Sequence, residues 1–428
     1  MRHFVTEARL DNGARGLFIN VPDASVMTFN INVRAGEYLV PEAKWEAPHL
    51  MEHVILGANK KFPRARDFQA DFEKNGAYSN ASTGHYDVTY ESECADFEWQ
   101  RILDRMILSL DQPLFLEEEF KAEVGNVREE LVSRSNNHFR HLSLALREAY
   151  GYHSATYQKR LELMGNVTNQ DLIDHYKKTH YTSNIRFVIA GNLTVNRRKH
   201  IKKRFSDLAL PKGGGRKKLP EERPTNLSKP LFIANETVDN FYFYFDTFMG
   251  RRMRENELYA MSLVNSMLTE TLHSRILGKA REKGLVYGMS SNIFFDKYTT
   301  NWWFGAQVQP QNASKLFDII ITEIKKLQDG KITEKDLKSA KQYRLGRFQR
   351  DVQTVGGLSA GYMGRYFFED KIEEYTKTPQ NIKAITKKQI VKGVQDLFTD
   401  KDWGLGILGG TDRRPADKLA DKLSVLWR

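Results

Sequence analysis

Alternating apolar and polar residues predict two β-strands near the N-terminus. Residues 16–21 and 26–33 place apolar side chains at every second position, and this period of two is typical of strands with one buried face. We predict that these two strands are antiparallel neighbours. Residues 77–83 and 86–91 carry β-branched and aromatic residues at alternate positions, so they predict a hairpin.

Helical patterns follow these strands along the chain. Pro48 favours the first turn of a helix, where its missing N–H group costs nothing, and we predict a helix from Pro48 to Gly57. Phe68 and Phe72 lie four residues apart in a second predicted helix. Residues 117–133 are strongly helical.

An internal repeat indicates two copies of one domain. Residues 168–191 and 386–409 each begin with a threonine N-cap, continue as a helix and a strand, and end at a glycine turn after the same separation. A glycine-rich basic segment between the copies has the composition of a linker. We therefore predict a first domain over 1–210, a linker over 211–230 and a second domain over 231–428.

Composition indicates a cellular setting. Of the 428 residues, 40% are hydrophobic and 28% are charged, which is typical of a soluble globular protein. No apolar run reaches the length of about 18 residues that a membrane span needs. The N-terminus lacks an apolar signal-peptide core, and the single Cys94 cannot form an intramolecular disulfide. We expect a cytoplasmic protein with no membrane partner.

A nucleic-acid interface would have to use the densest basic runs, because the net charge is +11. These runs are residues 196–204 and 212–218, and neither carries tyrosine, phenylalanine or tryptophan among its bases. We interpret them as a solvated helix face followed by a basic loop. We therefore expect no nucleic-acid partner.

Candidate chemistry is concentrated in the helix that starts at Pro48. His49 and His53 lie four residues apart, so they share one helix face, where two imidazoles can bind one metal ion. Glu52 directly precedes the second histidine, and its carboxylate could take a proton from a water molecule beside that metal. The alternative is a surface helix that carries two solvated histidines.

A catalytic zinc site needs a third protein ligand, which the motif helix does not supply. Glu130 in the segment 117–133 is the candidate, with Glu123, two turns earlier on the same face, as an outer-shell carboxylate. The alternative is an ordinary acidic helix face. The remaining histidines that we considered are predicted to lie on polar surfaces: His85, His138, His141, His153, His175 and His180.

The second copy has no equivalent ligands. Leu263, Ser266 and Met267 stand at the positions of the three motif residues, so we expect one metal ion per chain. Further along, Arg281 and Tyr287 lie at a predicted helix–turn–strand junction. Either they serve that junction alone, or they donate hydrogen bonds to a bound peptide carbonyl or oxyanion.

These motifs resemble those of the pitrilysin family of inverted-zincin metallopeptidases, which includes insulin-degrading enzyme and the mitochondrial processing peptidase. The resemblance covers nearly the whole chain, and short prokaryotic members of about this length are the most similar type. It rests on His49 to His53 with residues 57–63, on residues 76–83 with 87–90, and on residues 123–130.

The resemblance implies an α+β fold of two structurally similar domains, each an antiparallel β-sheet with flanking helices, which together form a half-clamp. It implies a zinc endopeptidase that hydrolyses unfolded peptides in an enclosed chamber. The residues that it assigns to one Zn²⁺ and to catalysis are His49, His53 and Glu130 as ligands, Glu123 as outer-shell support, Glu52 as general base, and Arg281 and Tyr287 as donors from the second domain.

The resemblance also implies how partners bind. A peptide substrate would add itself as a β-strand along Tyr78–Thr83, with Tyr78, Asn80, Ala81 and Ser82 in contact with it. Related short chains pair, so we expect a homodimer or a heterodimer with a related chain. The rival function is a non-catalytic or partner-requiring subunit of a peptidase-like assembly.

Two positions depart from the family pattern. The family usually has glycine three residues before the first zinc histidine, whereas this chain has Glu46 there and Pro48 two residues later. We expect that change to affect only the start of the helix. The separation from Arg281 to Tyr287 is six residues where seven is common, so the role of Arg281 depends on the local backbone.

Overall fold

The computed structural model describes residues 1–373 and 375–427, which form two compact units. Unit 1 comprises Met1–Val132, Gln158–Leu219 and Gln349–Tyr375. Unit 2 comprises Ser133–Tyr157, Pro220–Phe348 and Thr376–Arg428. Each unit combines one β-sheet with helices, so the predicted α+β class is confirmed.

The strands, in chain order, are β1 (Phe4–Arg9), β2 (Arg15–Asn20), β3 (Val26–Val33), β4 (Tyr78–Thr83), β5 (Val88–Ala95), β6 (Ile185–Gly191), β7 (Leu231–Ile233), β8 (Phe241–Met249), β9 (Met289–Phe295), β10 (Thr300–Val308) and β11 (Asp402–Leu408). The α-helices are α1 (Ala47–Ile55), α2 (Ala65–Glu73), α3 (Trp99–Asp111), α4 (Glu117–Ser135), α5 (His138–Ala149), α6 (Tyr157–Leu163), α7 (Asn169–Thr179), α8 (Val195–Ser206), α9 (Glu255–Leu268), α10 (Leu277–Glu282), α11 (Pro310–Gln328), α12 (Glu334–Asp351), α13 (Val355–Glu369), α14 (Thr378–Ala384), α15 (Lys387–Asp396) and α16 (Arg414–Leu423). Within the described residues, no helix is both long enough and apolar enough to cross a membrane.

The sheet of unit 1 has the strand order β1-β2-β6-β3-β5-β4. The prediction that β2 and β3 are neighbours is wrong, because β6 lies between them, parallel to β2 and antiparallel to β3. All seven residues of β6 are buried, which suits a central strand. The edge of β2 that faces away from β6 pairs with β1. Gly13, in the turn between β1 and β2, has a positive φ of 91°.

The sheet of unit 2 repeats this plan. Its order, β7-β11-β8-β10-β9, matches that of unit 1 without β1. The one parallel pair in its order, β7 with β11, corresponds to β2 with β6. The two-fold repeat predicted from the sequence is therefore present in the fold.

The repeat extends to single residues at helix and strand ends. Thr168 and Thr386 each form a capping box with the residue three positions later, so each hydroxyl and its partner side chain satisfy free main-chain N–H groups. Gly191 and Gly409 end the following strands with φ values of 143° and 129°, which favour glycine. The threonine and glycine signals in the sequence thus mark equivalent structural positions.

Two equivalent helices are exchanged between the halves of the sequence. Helix α5 belongs to unit 2, where it packs on β8 and β11, although it lies within the predicted first domain. Helix α13 belongs to unit 1, where it packs on β6 and β3. The compact units therefore differ from the ranges 1–210 and 231–428 by these two segments and by the predicted linker, which is divided between the units after Leu219. The ranges themselves stay a prediction about the domains of the sequence.

Strand alternation separates two packed faces in unit 2. Phe243 and Phe245 point into the main core, where Phe243 lies 4.9 Å from the ring of Phe317. Tyr242 and Tyr244 point to the opposite face and contact Phe139 of α5, with ring separations of 5.7 and 4.8 Å. The exchanged helix thus covers the second face of the sheet.

Candidate metal centre

Helix α1 carries the motif, and it starts where the sequence predicts. Pro48 occupies its first turn, and the helix packs against α7 and against the edge strand β4. His49 and Glu52 are only 6% and 5% exposed. The rings of His49 and His53 lie 5.0 Å apart at an angle of 83°, so both imidazoles occupy the same helix face. The alternative of two solvated surface histidines does not describe this helix.

Helix α4 brings Glu130 to the two histidines. Oε2 of Glu130 lies 3.6 Å from Nε2 of His49 and 3.6 Å from Nε2 of His53. Among the described residues, these three side chains are the one group of histidine, cysteine and carboxylate residues whose ligand atoms converge, and those atoms lie within 4.8 Å of one another. The structure therefore brings together the three residues that the sequence selected as ligands.

The second nitrogen of each histidine is held by a carboxylate. His53 Nδ1 lies 2.9 Å from Oε2 of Glu123, the residue predicted as outer-shell support. His49 Nδ1 lies 3.1 Å from Oε2 of Glu46. The expectation that Glu46 affects only the start of the helix is wrong, because its side chain contacts a candidate ligand. The Nδ1 atom of each histidine has a carboxylate partner, so Nε2 is the nitrogen of each ring that faces Glu130.

The electrostatics of the site favour a cation. Burial lowers the pKa of His53, but hydrogen bonds with Glu123 and Glu130 outweigh it and raise that pKa to about 10. Burial also lowers the pKa of His49, and contacts with Glu130 and Glu46 again reverse the direction. The carboxylates thus favour a positive charge at the imidazoles. A bound metal ion would provide that charge.

The donor set fits zinc. Two imidazole nitrogens and one carboxylate oxygen are common ligands in catalytic zinc sites, and bonds of about 2.0–2.1 Å in a tetrahedral site separate ligand atoms by roughly 3.4 Å. The observed separations of 3.6 Å between Glu130 and each histidine are close to that value. Both histidines also have the carboxylate partner that usually orients a ligating imidazole.

Glu52 is fixed beside this cluster by a residue that the sequence did not single out. Thr83 Oγ1, at the end of β4, donates a hydrogen bond to Glu52 Oε2 at 2.8 Å. The bond sets the rotation of the carboxylate and connects α1 to the edge of the sheet. Threonine at that position carries no sequence signal for this role, since it reads as an ordinary strand residue.

Strand β4 is one of the two outer strands of the sheet in unit 1, as the predicted substrate-binding role requires. Tyr78, Asn80 and Ser82 are exposed on one face of the strand, and Tyr78 is 55% exposed. Ala81 differs from them, because it is buried on the other face. Contact of these four residues with a peptide stays a prediction.

Arg281 and Tyr287 lie together in unit 2. The Arg281 guanidinium donates to the main-chain oxygen of Tyr287 and lies 4.9 Å from the centre of its ring. Tyr287 is 89% exposed. The proposed donation of hydrogen bonds to a peptide stays a prediction.

Two of the other histidines are not on polar surfaces. His175 and His180 are 3% and 1% exposed, which corrects the prediction for them. His175 Nε2 lies 2.7 Å from the main-chain oxygen of Ala35, and His180 Nε2 lies 3.0 Å from the hydroxyl of Tyr90. Each is a core histidine with a hydrogen-bond partner, and burial lowers their pKa values to about 4 and about 3.

Sequence comparisons identify the family. The sequence model described as "Insulinase (Peptidase family M16)" matches residues 17–163, which contain the whole cluster described above. The model described as "Peptidase M16 inactive domain" matches residues 166–343. The chain belongs to the M16 peptidase family. This is the pitrilysin family that the motifs resemble, and the second description agrees with the absence of metal ligands at Leu263, Ser266 and Met267.

Curated relatives of this M16 chain match over less than half of its length. Protease 3 of Escherichia coli strain K12 is 26% identical over 191 residues, which is 43% of this chain and 20% of that protein. The putative zinc protease mug138 of Schizosaccharomyces pombe is 26% identical over 194 residues, with the same two shares. The aligned part therefore spans about a fifth of the length of these relatives.

Solved structures share the fold over nearly the whole chain. A protease from Helicobacter pylori has a TM-score of 0.82 at 18% identity and covers 95% of this chain and 99% of its own. A structure described as a peptidase M16 inactive domain from Pseudomonas fluorescens has a TM-score of 0.81 at 16% identity, with 96% and 98% covered. At such identities the likeness establishes the fold.

Proposed function

We propose that this M16 chain is a zinc-dependent endopeptidase that hydrolyses peptides bound as an additional β-strand. The observation that carries the proposal is the convergence of His49, His53 and Glu130, with Glu52 fixed beside them. Relatives named as zinc proteases support the choice of metal.

His49, His53 and Glu130 would hold the ion. When bound, zinc supplies Lewis acidity, which polarises a peptide carbonyl and makes water a better nucleophile at neutral pH. Glu52 is the general base: its carboxylate takes a proton from the attacking water and returns it to the departing amine. Thr83 keeps that carboxylate in one orientation through its hydrogen bond, so the base does not have to reorganise during the reaction.

The edge strand β4 would bind the substrate. Its outer edge offers main-chain donors and acceptors to a peptide, which gives affinity with little dependence on side chains. Side chains of Tyr78, Asn80 and Ser82 line the exposed face beside that edge. An unfolded peptide can pair in this way, whereas a folded protein cannot, so we propose unfolded peptides as substrates. We also propose pairing with a second copy or a related chain, on the basis of the family resemblance.

The test compares three proteins on a mixed pool of unstructured peptides, with zinc content measured for each. The wild type is expected to cleave, to lose activity with a chelator and to regain it with zinc. Glu52→Gln is expected to retain zinc and to cleave at least about 1,000-fold more slowly, because it removes the base. Glu129→Gln is the matched control, because Glu129 is exposed on α4 next to Glu130, and it is expected to behave as the wild type.

One outcome rejects the proposal. If zinc-loaded wild type cleaves no peptide over a range of lengths, the chain is not a self-sufficient peptidase. The rival function, a non-catalytic or partner-requiring subunit, then becomes the better description, and proteins that co-purify with the chain become the next measurement.

A further inference from the structure

Glu46 lies in an environment that helix capping does not explain. It precedes the first residue of α1, yet its side chain makes no capping hydrogen bond to that helix. The residue is 0% exposed. A buried carboxylate is unfavourable unless charged and hydrogen-bonding partners compensate for the lost water. The partners of Glu46 therefore indicate what the residue does.

Arg160 on α6 is the first partner. Its Nε donates to Oε1 of Glu46 at 2.5 Å, and one of its terminal nitrogens donates to Oε2 at 2.9 Å. This two-pronged contact is the strongest geometry that an arginine and a carboxylate can adopt. Arg160 is itself only 8% exposed, so both members of the ion pair are buried.

His49 is the second partner, through Nδ1 at 3.1 Å from Oε2 of Glu46. An ionised carboxylate can only accept a hydrogen bond, so the contact requires the proton on Nδ1. The other nitrogen, Nε2, then presents its lone pair toward Glu130, 3.6 Å away. Arg160 keeps the Glu46 side chain in the position that this contact needs and offsets its negative charge.

The two candidate histidine ligands are thus supported differently. Glu123, which holds His53, has a side chain that is 23% exposed, whereas the side chain of Glu46 has no exposed surface. A buried ion pair is weak as a source of stability, because desolvation consumes much of its attraction. It does hold its members in one geometry, and the ring that it holds here is the candidate ligand His49.

We propose that Glu46 and Arg160 are positioning residues that orient His49 and fix its tautomer for metal binding. The inference rests on the proposed function only in taking His49 as a zinc ligand. It assigns a role to a position where the family usually has glycine, and to an arginine on a separate helix. Neither residue would touch the substrate.

The experiment compares two double variants that differ in one hydrogen-bond acceptor. Glu46→Gln/Arg160→Met removes both charges but keeps a side-chain oxygen that can accept from His49 Nδ1. Glu46→Leu/Arg160→Met removes the charges and the acceptor. Both variants remove the Glu46–Arg160 pair together and lose the 3.7 Å contact of Arg160 with Glu37 alike, so they differ from each other only at residue 46. The zinc dissociation constant is measured by competition with a chromophoric chelator, and folding is followed by circular dichroism and thermal unfolding.

The acceptor-free variant is expected to bind zinc about 10–100-fold more weakly than the wild type, the usual effect of losing an outer-shell partner. The glutamine variant is expected to recover only part of that loss, because it keeps the acceptor for His49 Nδ1 but lacks Arg160 to hold that acceptor in position. Equal zinc affinity in the two folded variants would overturn the proposal, since a merely structural pair would affect both alike. If the leucine variant does not fold, Glu46→Met/Arg160→Met replaces it, because methionine adapts to irregular spaces.

A control and a second readout separate this result from the proposed function. Lys44, two residues before Glu46, forms an ion pair with Asp171 of α7. Lys44→Met breaks that pair, and zinc affinity is expected to stay at the wild-type value. Zinc affinity does not depend on peptide cleavage. A chain that binds zinc tightly without cleaving peptides would reject the proposed function and leave the positioning role intact, whereas unchanged affinity in the acceptor-free variant rejects the positioning role alone.

Discussion

At the scale of single residues, the hydroxyl of Thr83 offers a sharp test of the proposed base. Its hydrogen bond to Glu52 restricts the carboxylate, and hydrogen bonds to charged groups are stronger than neutral ones. We expect Thr83→Val to lower kcat about tenfold, which corresponds to ~1.4 kcal/mol in the barrier, with little change in KM. Thr83→Ser keeps the hydroxyl and is expected to retain most of the activity. Loss of activity in Thr83→Ser together with wild-type activity in Thr83→Val would indicate that the methyl group, not the hydroxyl, matters.

A buried aspartate in unit 2 gives a pH dependence of stability. Asp246 accepts hydrogen bonds from Asn301 Nδ2 at 2.7 Å and from the Tyr150 hydroxyl at 3.1 Å. Burial nevertheless raises its pKa to about 6. The unfolded chain releases this proton near pH 4, so the folded state binds more protons between pH 4 and 6. The contribution of Asp246 to stability is therefore greatest below pH 4 and decreases as the pH rises to 6.

Asp246→Asn should remove this pH dependence. Relative to the wild type, the variant is expected to be more stable at pH 7 than at pH 4, with a change in the difference of about 2–3 kcal/mol. Urea unfolding of both proteins at the two pH values measures it. A difference between the two proteins that does not vary with pH would show that the Asp246 carboxylate does not titrate in this range.

At the scale of helices and strands, the sequence predicted local structure better than it predicted the pairing of distant strands. Pro48 and the histidine spacing located α1 and its metal-binding face. The order of β2, β6 and β3 was not predictable, because Ile185–Gly191 is far away in sequence and strand patterns do not encode their partners. The support of His49 by Glu46 carried a signal, a carboxylate at i−3, whereas the participation of Arg160 carried none.

The equivalent helices α1 and α9 allow the repeat to be tested by paired substitutions. Leu263 in α9 is fully buried in the core of unit 2 and stands where His49 stands in α1. We expect Leu263→Ala to lower the free energy of unfolding by about 2–5 kcal/mol, through lost burial and a cavity, and to leave zinc content per folded chain unchanged. His49→Ala is expected to lower the zinc content per folded chain and to change the free energy of unfolding little. Loss of zinc in folded Leu263→Ala protein would contradict the equivalence of the two helices.

At the scale of the whole molecule, the exchanged helices make each half of the sequence incomplete. Helix α13 contributes Leu358, Tyr362 and Tyr366 to unit 1, all on one helix face and all less than 4% exposed. Its Ser359 hydroxyl also accepts from Asn30 Nδ2 of β3 at 3.2 Å. Burial of three large side chains at about 1.5–3 kcal/mol each stabilises by about 5–9 kcal/mol, which is comparable with the net stability of about 5–15 kcal/mol of a whole domain.

A fragment of residues 1–210 should therefore not fold stably alone, since it contains the candidate metal ligands but lacks α13. We expect it to aggregate or to melt without cooperativity, and we expect fusion of residues 349–375 through a flexible linker to restore cooperative unfolding and zinc binding. The matched control carries Leu358→Ser, Tyr362→Ser and Tyr366→Ser in the fused segment, so that it has the length without the apolar face, and it should behave like the bare fragment. Thermal unfolding and hydrogen exchange on β3 and β6 measure the difference. Cooperative melting of the bare fragment at the temperature of the fused protein would mean that the sheet of unit 1 does not depend on the helix from the other half of the sequence.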